Sequence, residues 1–376
     1  MPELEENVYL ARQSRLSTAL QNYQLDAMVL NAGPSLTYLT GLHFHLSERP
    51  VAFFFLPGRV PLIVAPELEA GKVKALPNPM QAYLYGEDTG SWPGTFRAAA
   101  RAARLSGARV GLEPRRLRVL EMDLLEPAAP DAFFLSAQEC LASLRMCKDQ
   151  AEIAAMRQAV QVAQQALLAA LDSFQPGIRE RELAAELTLQ ILRHGSDPEL
   201  PFSPIVASGP NSANPHAFPS SRAIQAGDLL ILDWGASVDG YFSDLTRTFA
   251  VGEIDSDLEQ VARTVADANA AARAASNPGT AAGAVDSAAR RVIELSGYAD
   301  FFIHRTGHGL GLESHEEPYI TSGNALPLQP GMTFTIEPGI YLPGRGGVRI
   351  EDDMLITDSA GESLSNLPRE LASLAV

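Results

Sequence analysis

LLILDWGASVDGYFSDLTRT, residues 229–248, is the stretch from which the fold can be read. Four apolar residues run straight into Asp233, and Asp244 follows eleven positions later in a second strand-like run. Between them Asp239-Gly240 is a strong two-residue hairpin signal, because a type I′ turn needs positive φ at both central positions and glycine accepts it without steric cost. The turn predicts that Val238 faces Tyr241, Gly235 faces Asp244 and Asp233 faces Thr246. Both aspartates then share one face of the hairpin, diagonally about 7–8 Å apart at the backbone. A lone carboxylate in a dry interior is costly unless it is paired, protonated or bound to metal. Two that close cannot both ionise without a cation between them.

The same oddity recurs downstream. Glu337 ends the apolar run MTFTIEPG and Glu351 ends GVRIEDD, carboxylates where an apolar strand should continue or turn. Arg349 and Glu351 have period-two spacing and share a strand face. Four of the seven histidines lie in glycine- or proline-punctuated loops: His216 in GPNSANPHAFP, and His304, His308 and His315 in HRTGHGLGLESHEEP. The glycines of GHGLG let the backbone bend closely around His308. Four acids and one histidine are hard or borderline ligands, suited to a pair of divalent ions such as manganese, cobalt or zinc. The residues by themselves therefore describe a two-metal hydrolase.

Length and composition set the frame. A chain of 376 residues, 46% hydrophobic, can build two cores. Its net charge of −16 and the absence of a basic run argue against a nucleic-acid partner. The first 25 residues read as a charged amphipathic helix, and no stretch of eighteen apolar residues occurs, so no membrane partner is expected. Cys140 and Cys147, the only cysteines, sit in the helical-looking LSAQECLASLRMCKDQ. A spacing of seven puts them about 10 Å apart along a helix, too far for a disulfide, which suggests unpaired thiols in a reducing cytoplasm.

Up to about residue 140, short apolar runs (DAMVLNA, PVAFFFLP, VPLIVAP, QAYLYG, RVGLEP, DAFFLSA) alternate with helical stretches such as 5–22 and 94–105, an α/β pattern. KDQAEIAAMRQAVQVAQQALLAALDSF then starts a long helix with Asp149 and Glu152 at capping-box spacing. The domain boundary is placed just before it, giving domains 1–145 and 146–376. The second domain reads as two helices ending at Gly195, strands from 202 to 250, helices at 257–275 and 280–296, and strands from 301 to 357. Grouped strands of this kind predict an α+β domain of antiparallel hairpins.

The motifs SGPNSANPH, DWGASVDGYFSDLTRTF, HRTGHGLGLESHEEP, FTIEPGIY and GVRIED, in this order, resemble the pita-bread metallopeptidases, in the proline-directed branch of prolidases and aminopeptidases P. The likeness covers most of residues 148–365. SLTYLTGL resembles a turn of the smaller α/β creatinase-type N-terminal domain of that branch. The resemblance implies a dinuclear centre held by Asp233, Asp244, His308, Glu337 and Glu351, with Asp244 and Glu351 bridging. Manganese is the expected metal, with cobalt, zinc or iron as alternatives. It places His216, His304 and His315 on the substrate side and Arg349 beside the last ligand. In the implied mechanism two ions about 3.5–4 Å apart activate a water. Glu337 carries the water's proton to the proline nitrogen, His315 hydrogen-bonds the tetrahedral oxygen, and His216 anchors the substrate. The implied substrate is an Xaa-Pro dipeptide, with aminopeptidase P action on longer peptides as the alternative. Creatinase-like hydrolases and metal-free binding modules on the same fold typically lose several of the five ligand positions, all of which this chain keeps. Members of the branch usually form homodimers. Arg49, in GLHFHLSERPVAFFF, is a candidate cation for the dipeptide's free carboxylate, as its guanidinium can pair with it bidentately.

Overall fold

The computed structural model describes residues 2–76 and 78–375, in two compact units, Met1–Arg145 and Met146–Val376. In the first unit all six apolar runs become strands of a single sheet. Its order is Gln81–Tyr85, Leu62–Pro66, Ala52–Phe55, Ala27–Leu30, Arg109–Leu112 and Phe133–Ser136. Ala27–Leu30 pairs antiparallel with Ala52–Phe55 and parallel with Arg109–Leu112, so the sheet is mixed. Helix Trp92–Ala103 packs Phe96, Ala99, Ala100 and Ala103 into the core on one face of it. SLTYLTGL is a helix, Pro34–Thr40, closed by Gly41 in the left-handed region at φ 76°. A Cβ on Gly41 would lie 2.7 Å from the Tyr9 hydroxyl, so both conformation and space demand glycine. Helix Gln138–Arg145 stops before Cys147, so the two cysteines do not share a helix as their segment's pattern suggested; both are free.

The second unit opens with helix Gln150–Leu171. Asp149 accepts from the N–H groups of Ala151 and Glu152, and Glu152 Oε2 accepts from the Asp149 N–H at 2.8 Å, which satisfies orphan donors of the first turn. This helix and Glu180–Arg193 pack on a four-stranded sheet, ordered Ala372–Leu374, Leu245–Val251, Leu229–Trp234, Ile205–Ser208. A second helix pair, Ser256–Ala275 and Ala282–Leu295, packs on a five-stranded sheet ordered Glu316–Ile320, Gly307–Gly309, Thr333–Ile336, Asp352–Ile356, Gly361–Ser363. The sheets are linked by an isolated bridge between Thr246 and Glu351. No described helix is long and apolar enough to cross a membrane.

The hairpin has the expected register: Val238 faces Tyr241 and Asp233 faces Thr246, with Asp239 at φ 52° and Gly240 at φ 77°. The ladder is interrupted between Trp234 and Ser237, where the chains come unusually close. A Cβ on Gly235 would sit 2.0 Å from the Ser243 carbonyl oxygen, a backbone atom that cannot swing aside. Glycine at 235 thus sets the approach of the segments carrying Asp233 and Asp244. Gly235→Ala should destabilise the protein by about 1–3 kcal/mol in denaturant titrations, the scale of overpacking, and lower its uptake of divalent metal. Unchanged stability and metal content would show that the close approach is not needed.

Candidate metal centre

Both sheets contribute donors to one place. Asp233 is the penultimate residue of Leu229–Trp234, and Asp244 immediately precedes Leu245–Val251. His308 is the middle residue of Gly307–Gly309, and Glu337 follows Thr333–Ile336. Glu351 lies between Gly346–Arg349 and Asp352–Ile356. All five line one pocket of about 550 Å³, together with His216, His304, His315 and Arg349. Phe202, Ser203, Pro204 and Ile205, from the segment PFSPIV, form part of its wall. Arg49 belongs to the first unit, where Glu87 engages its Nε and Nη2 and Glu48 its Nη1.

The local chemistry calls for a cation. Asp244, His308 and Glu351 each offer a ligand atom, all within 4.8 Å of one another. His308 Nδ1 lies 3.1 Å from the Gly309 carbonyl, which can only accept, so Nδ1 carries the proton and Nε2 a lone pair. Burial holds the ring far below its ordinary pKa, with the neighbouring His315 adding to the effect. That lone pair faces carboxylate oxygens, Glu337 Oε1 at 3.4 Å and Asp244 Oδ2 at 3.8 Å. Lone pair against carboxylate is repulsive unless a proton or cation lies between. Asp233 Oδ2 accepts from Arg349 Nη2, while its buried Oδ1 has no hydrogen-bond partner. An orphaned buried oxygen beside this donor set fits a divalent-ion ligand.

The electrostatics agree. Burial, with the neighbouring carboxylates, raises Asp244 and Glu351 well above the carboxylate range. Burial raises Glu337 to about 7 against the opposing pull of Arg349. Burial disfavours the Arg349 charge, but Tyr341 and the carboxylates of Asp233, Glu351 and Glu337 outweigh it and hold the guanidinium firmly protonated.

Several partners were not foreseen in the sequence. Thr246 donates to Glu351 Oε2 at 2.7 Å and accepts from Arg349 Nε at 3.1 Å. Its place opposite Asp233 in the hairpin register was the available signal. The Tyr341 hydroxyl accepts from Arg349 Nη1 at 2.9 Å and lies 2.9 Å from His304 Nε2. Since His304 Nδ1 faces the Arg305 carbonyl at 2.7 Å, Nε2 is the acceptor and Tyr341 the donor. Burial lowers His304 to about 4, which keeps it neutral in this chain. Asp353 accepts from the Asp244 N–H at 3.1 Å and thus fixes that residue's backbone. Arg305 lines the pocket, its guanidinium 4.5 Å from the Tyr319 ring centroid.

The chain matches the family described as Metallopeptidase family M24 over residues 154–358 and the Creatinase/Prolidase N-terminal domain over residues 12–147. It is 38% identical to the probable dipeptidase PepE of Mycobacterium tuberculosis strain H37Rv, over 99% of this chain and 98% of that protein. It is 32% identical to the Xaa-Pro dipeptidase of Lactobacillus delbrueckii subsp. lactis, over 96% and 98%. Among solved structures it is similar to a recombinant prolidase from Thermococcus sibiricus, with a TM-score of 0.93 and 33% identity over 97% of this chain and 99% of that one.

The raised carboxyl groups give a signed pH dependence. Without ions, Glu337, Asp244 and Glu351 fold at little cost while protonated, and stability falls as pH rises from the ordinary carboxylate range through about 7. A divalent cation bound there would take the place of those protons. The melting temperature of chelated protein should therefore drop between about pH 5 and pH 8, and added divalent metal should abolish the drop. Chelated protein that gains stability over that interval would contradict the assignment.

Proposed function

The chain belongs to metallopeptidase family M24, and on that premise we propose that it cleaves Xaa-Pro dipeptides with two divalent ions, manganese foremost, held by Asp233, Asp244, His308, Glu337 and Glu351. The observation that carries this reading is the gathering of those five donors, three further histidines and Arg349 around one pocket with an apolar wall. When bound, the ions supply Lewis-acid polarisation of the scissile carbonyl and lower the pKa of the attacking water.

The chain's own groups do the rest. Glu337, which lines the pocket, takes the water's proton and returns it to the proline nitrogen as the bond breaks. His315, whose ring centroid is 4.0 Å from that of His308, donates to the developing oxyanion. The exposed His216 anchors the substrate beside the scissile bond, and His304, fixed through Tyr341 and Arg349, completes the substrate side. Proline presents a tertiary amide without an N–H and a compact apolar ring. Phe202, Pro204, Ile205 and Phe218 offer a surface that asks for no hydrogen bond in return.

Substrate length turns on a cation for the carboxylate that directly follows proline in a dipeptide. Arg305 stands in the pocket wall and is assigned this role ahead of Arg49, whose guanidinium is taken up by Glu87 and Glu48. The reading extends to a cytoplasmic homodimer.

An assay pairing an Xaa-Pro dipeptide with the matched tripeptide tests the proposal, and the dipeptide should be preferred. Arg305→Ala should cost about 1.5–3 kcal/mol in dipeptide kcat/KM, or roughly 10- to 150-fold, with much less effect on the tripeptide. If Arg49→Ala shows that selective loss instead, the anchor is Arg49. A wild-type preference for the tripeptide would make the enzyme an aminopeptidase P. His315→Ala should lower kcat by roughly 10²- to 10³-fold with metal stoichiometry intact; loss of metal in that variant would place His315 among the ligands.

A further inference from the structure

His216 and Phe218 reach the pocket from the segment 208–220, and both are exposed, Phe218 by 87%. Side chains this exposed are not held by packing, so their placement depends on how the segment is anchored. Its middle is tied by the Ser212 hydroxyl, which accepts from the Gly347 N–H at 2.8 Å. Nearer the tip, the Pro215 carbonyl accepts from Arg349 Nη1 at 3.3 Å. Its two ends converge on one carboxylate.

That carboxylate is Glu180, the first residue of helix Glu180–Arg193 and 0% exposed. Glu180 Oε1 accepts from the Ser208 N–H at 2.7 Å and the Ser208 hydroxyl at 2.8 Å, where the segment begins. Oε2 accepts from the Ser220 N–H at 3.0 Å and the Ser220 hydroxyl at 2.6 Å, where it ends. Asn211 Nδ2 lies 3.1 Å from each oxygen. Arg222 Nη1 donates to the Ser208 hydroxyl at 2.6 Å and also pairs with Asp228, which supports the cluster from outside. We infer that Glu180 is a positioning residue for substrate binding: its buried carboxylate clamps both ends of the segment 208–220 and so fixes His216 and Phe218 at the pocket.

The chemistry suits a carboxylate and not its amide. Every partner offers N–H or O–H, so an acceptor-only group satisfies all of them, whereas a glutamine would turn an NH₂ toward the N–H of Ser208 or Ser220. Burial alone would raise the Glu180 pKa, but the hydrogen bonds from Ser220 and Ser208 prevail and lower it, so the acceptor form persists at neutral pH. Glu180 is not a metal donor, which separates its effect from loss of the ions.

The inference rests on the proposed reading of the pocket as the peptide site, and its test separates the two. In metal-loaded Glu180→Gln, metal content should be unchanged, dipeptide KM should rise about tenfold and kcat should change less than about threefold, the signature of a displaced binding element. Amide hydrogen exchange should quicken within residues 209–219 and stay unchanged in the strands bearing the ligands. Because Glu180 acts through His216 and Phe218, adding Glu180→Gln to the His216→Ala/Phe218→Ala pair should raise KM no further than that pair does alone. Ser220→Ala, which removes a single hydroxyl, should shift KM and exchange in the same direction by less, and it decides the matter if Glu180→Gln does not fold. Unchanged loop exchange with unchanged KM in either variant, or a further rise in KM when Glu180→Gln is added to the His216→Ala/Phe218→Ala pair, would overturn the inference. If the wild-type protein cleaves no Xaa-Pro peptide, the functional reading falls while the exchange measurement still decides the clamp.

Discussion

The structure turns on four carboxylates, Asp233, Asp244, Glu337 and Glu351, gathered in one pocket around the unprotonated Nε2 of His308. Arg349 engages Asp233 directly, while among the described residues no arginine or lysine forms an ion pair with Asp244 or Glu351, and burial and the neighbouring carboxylates raise both. The contrast with the next residue is instructive. Asp352 is equally buried, yet Arg247 and Arg369 overcome that burial and lower its pKa to about 2. Along Glu351-Asp352-Asp353 the chain directs one acid to the pocket, one to paired arginines and one to the Asp244 backbone. The arginine pair completes an ordinary buried ion cluster on one side, whereas on the pocket side Arg349 pairs with Asp233 and leaves the other carboxylates without a direct cationic partner among the described residues. The proposed divalent centre would supply it.

The fold holds that imbalance in place. Each sheet has one face packed by a helix pair, and the donors sit at strand ends or interruptions, where the backbone can leave the ladder and aim a carboxylate. Arg247 binds the two sheets behind the site by donating to the carbonyls of Thr246 and Glu351 as well as to Asp352. The proposed ligands are thereby set by backbone position, which would limit the reorganisation that ion binding requires.

Much of this was legible in the sequence because it is encoded locally. Asp239-Gly240 fixed the hairpin register and with it the pairing of Asp233 with Thr246. The Asp149/Glu152 capping box marked the start of Gln150–Leu171, and acids at the ends of apolar runs marked three carboxylates that line the pocket. Features built from distant segments were not legible. Tyr341 joins Arg349 to His304 across a ribbon and a loop, and Glu180 meets Ser208 and Ser220 from 28 and 40 positions away. Neither shows a local periodicity or spacing. The strand Ala372–Leu374 also escaped notice, since three residues alongside Phe249–Val251 carry too little pattern to register.

The central claim, that a dinuclear divalent centre compensates the four carboxylates, is tested most directly by diffraction from crystals of the protein grown with manganese, using anomalous scattering to place the metal. Two peaks per chain are predicted, together coordinated by Asp233, Asp244, His308, Glu337 and Glu351, with Asp233 Oδ1 among the ligand atoms. A single ion in the pocket, or manganese bound elsewhere while that oxygen stays uncoordinated, would contradict the account.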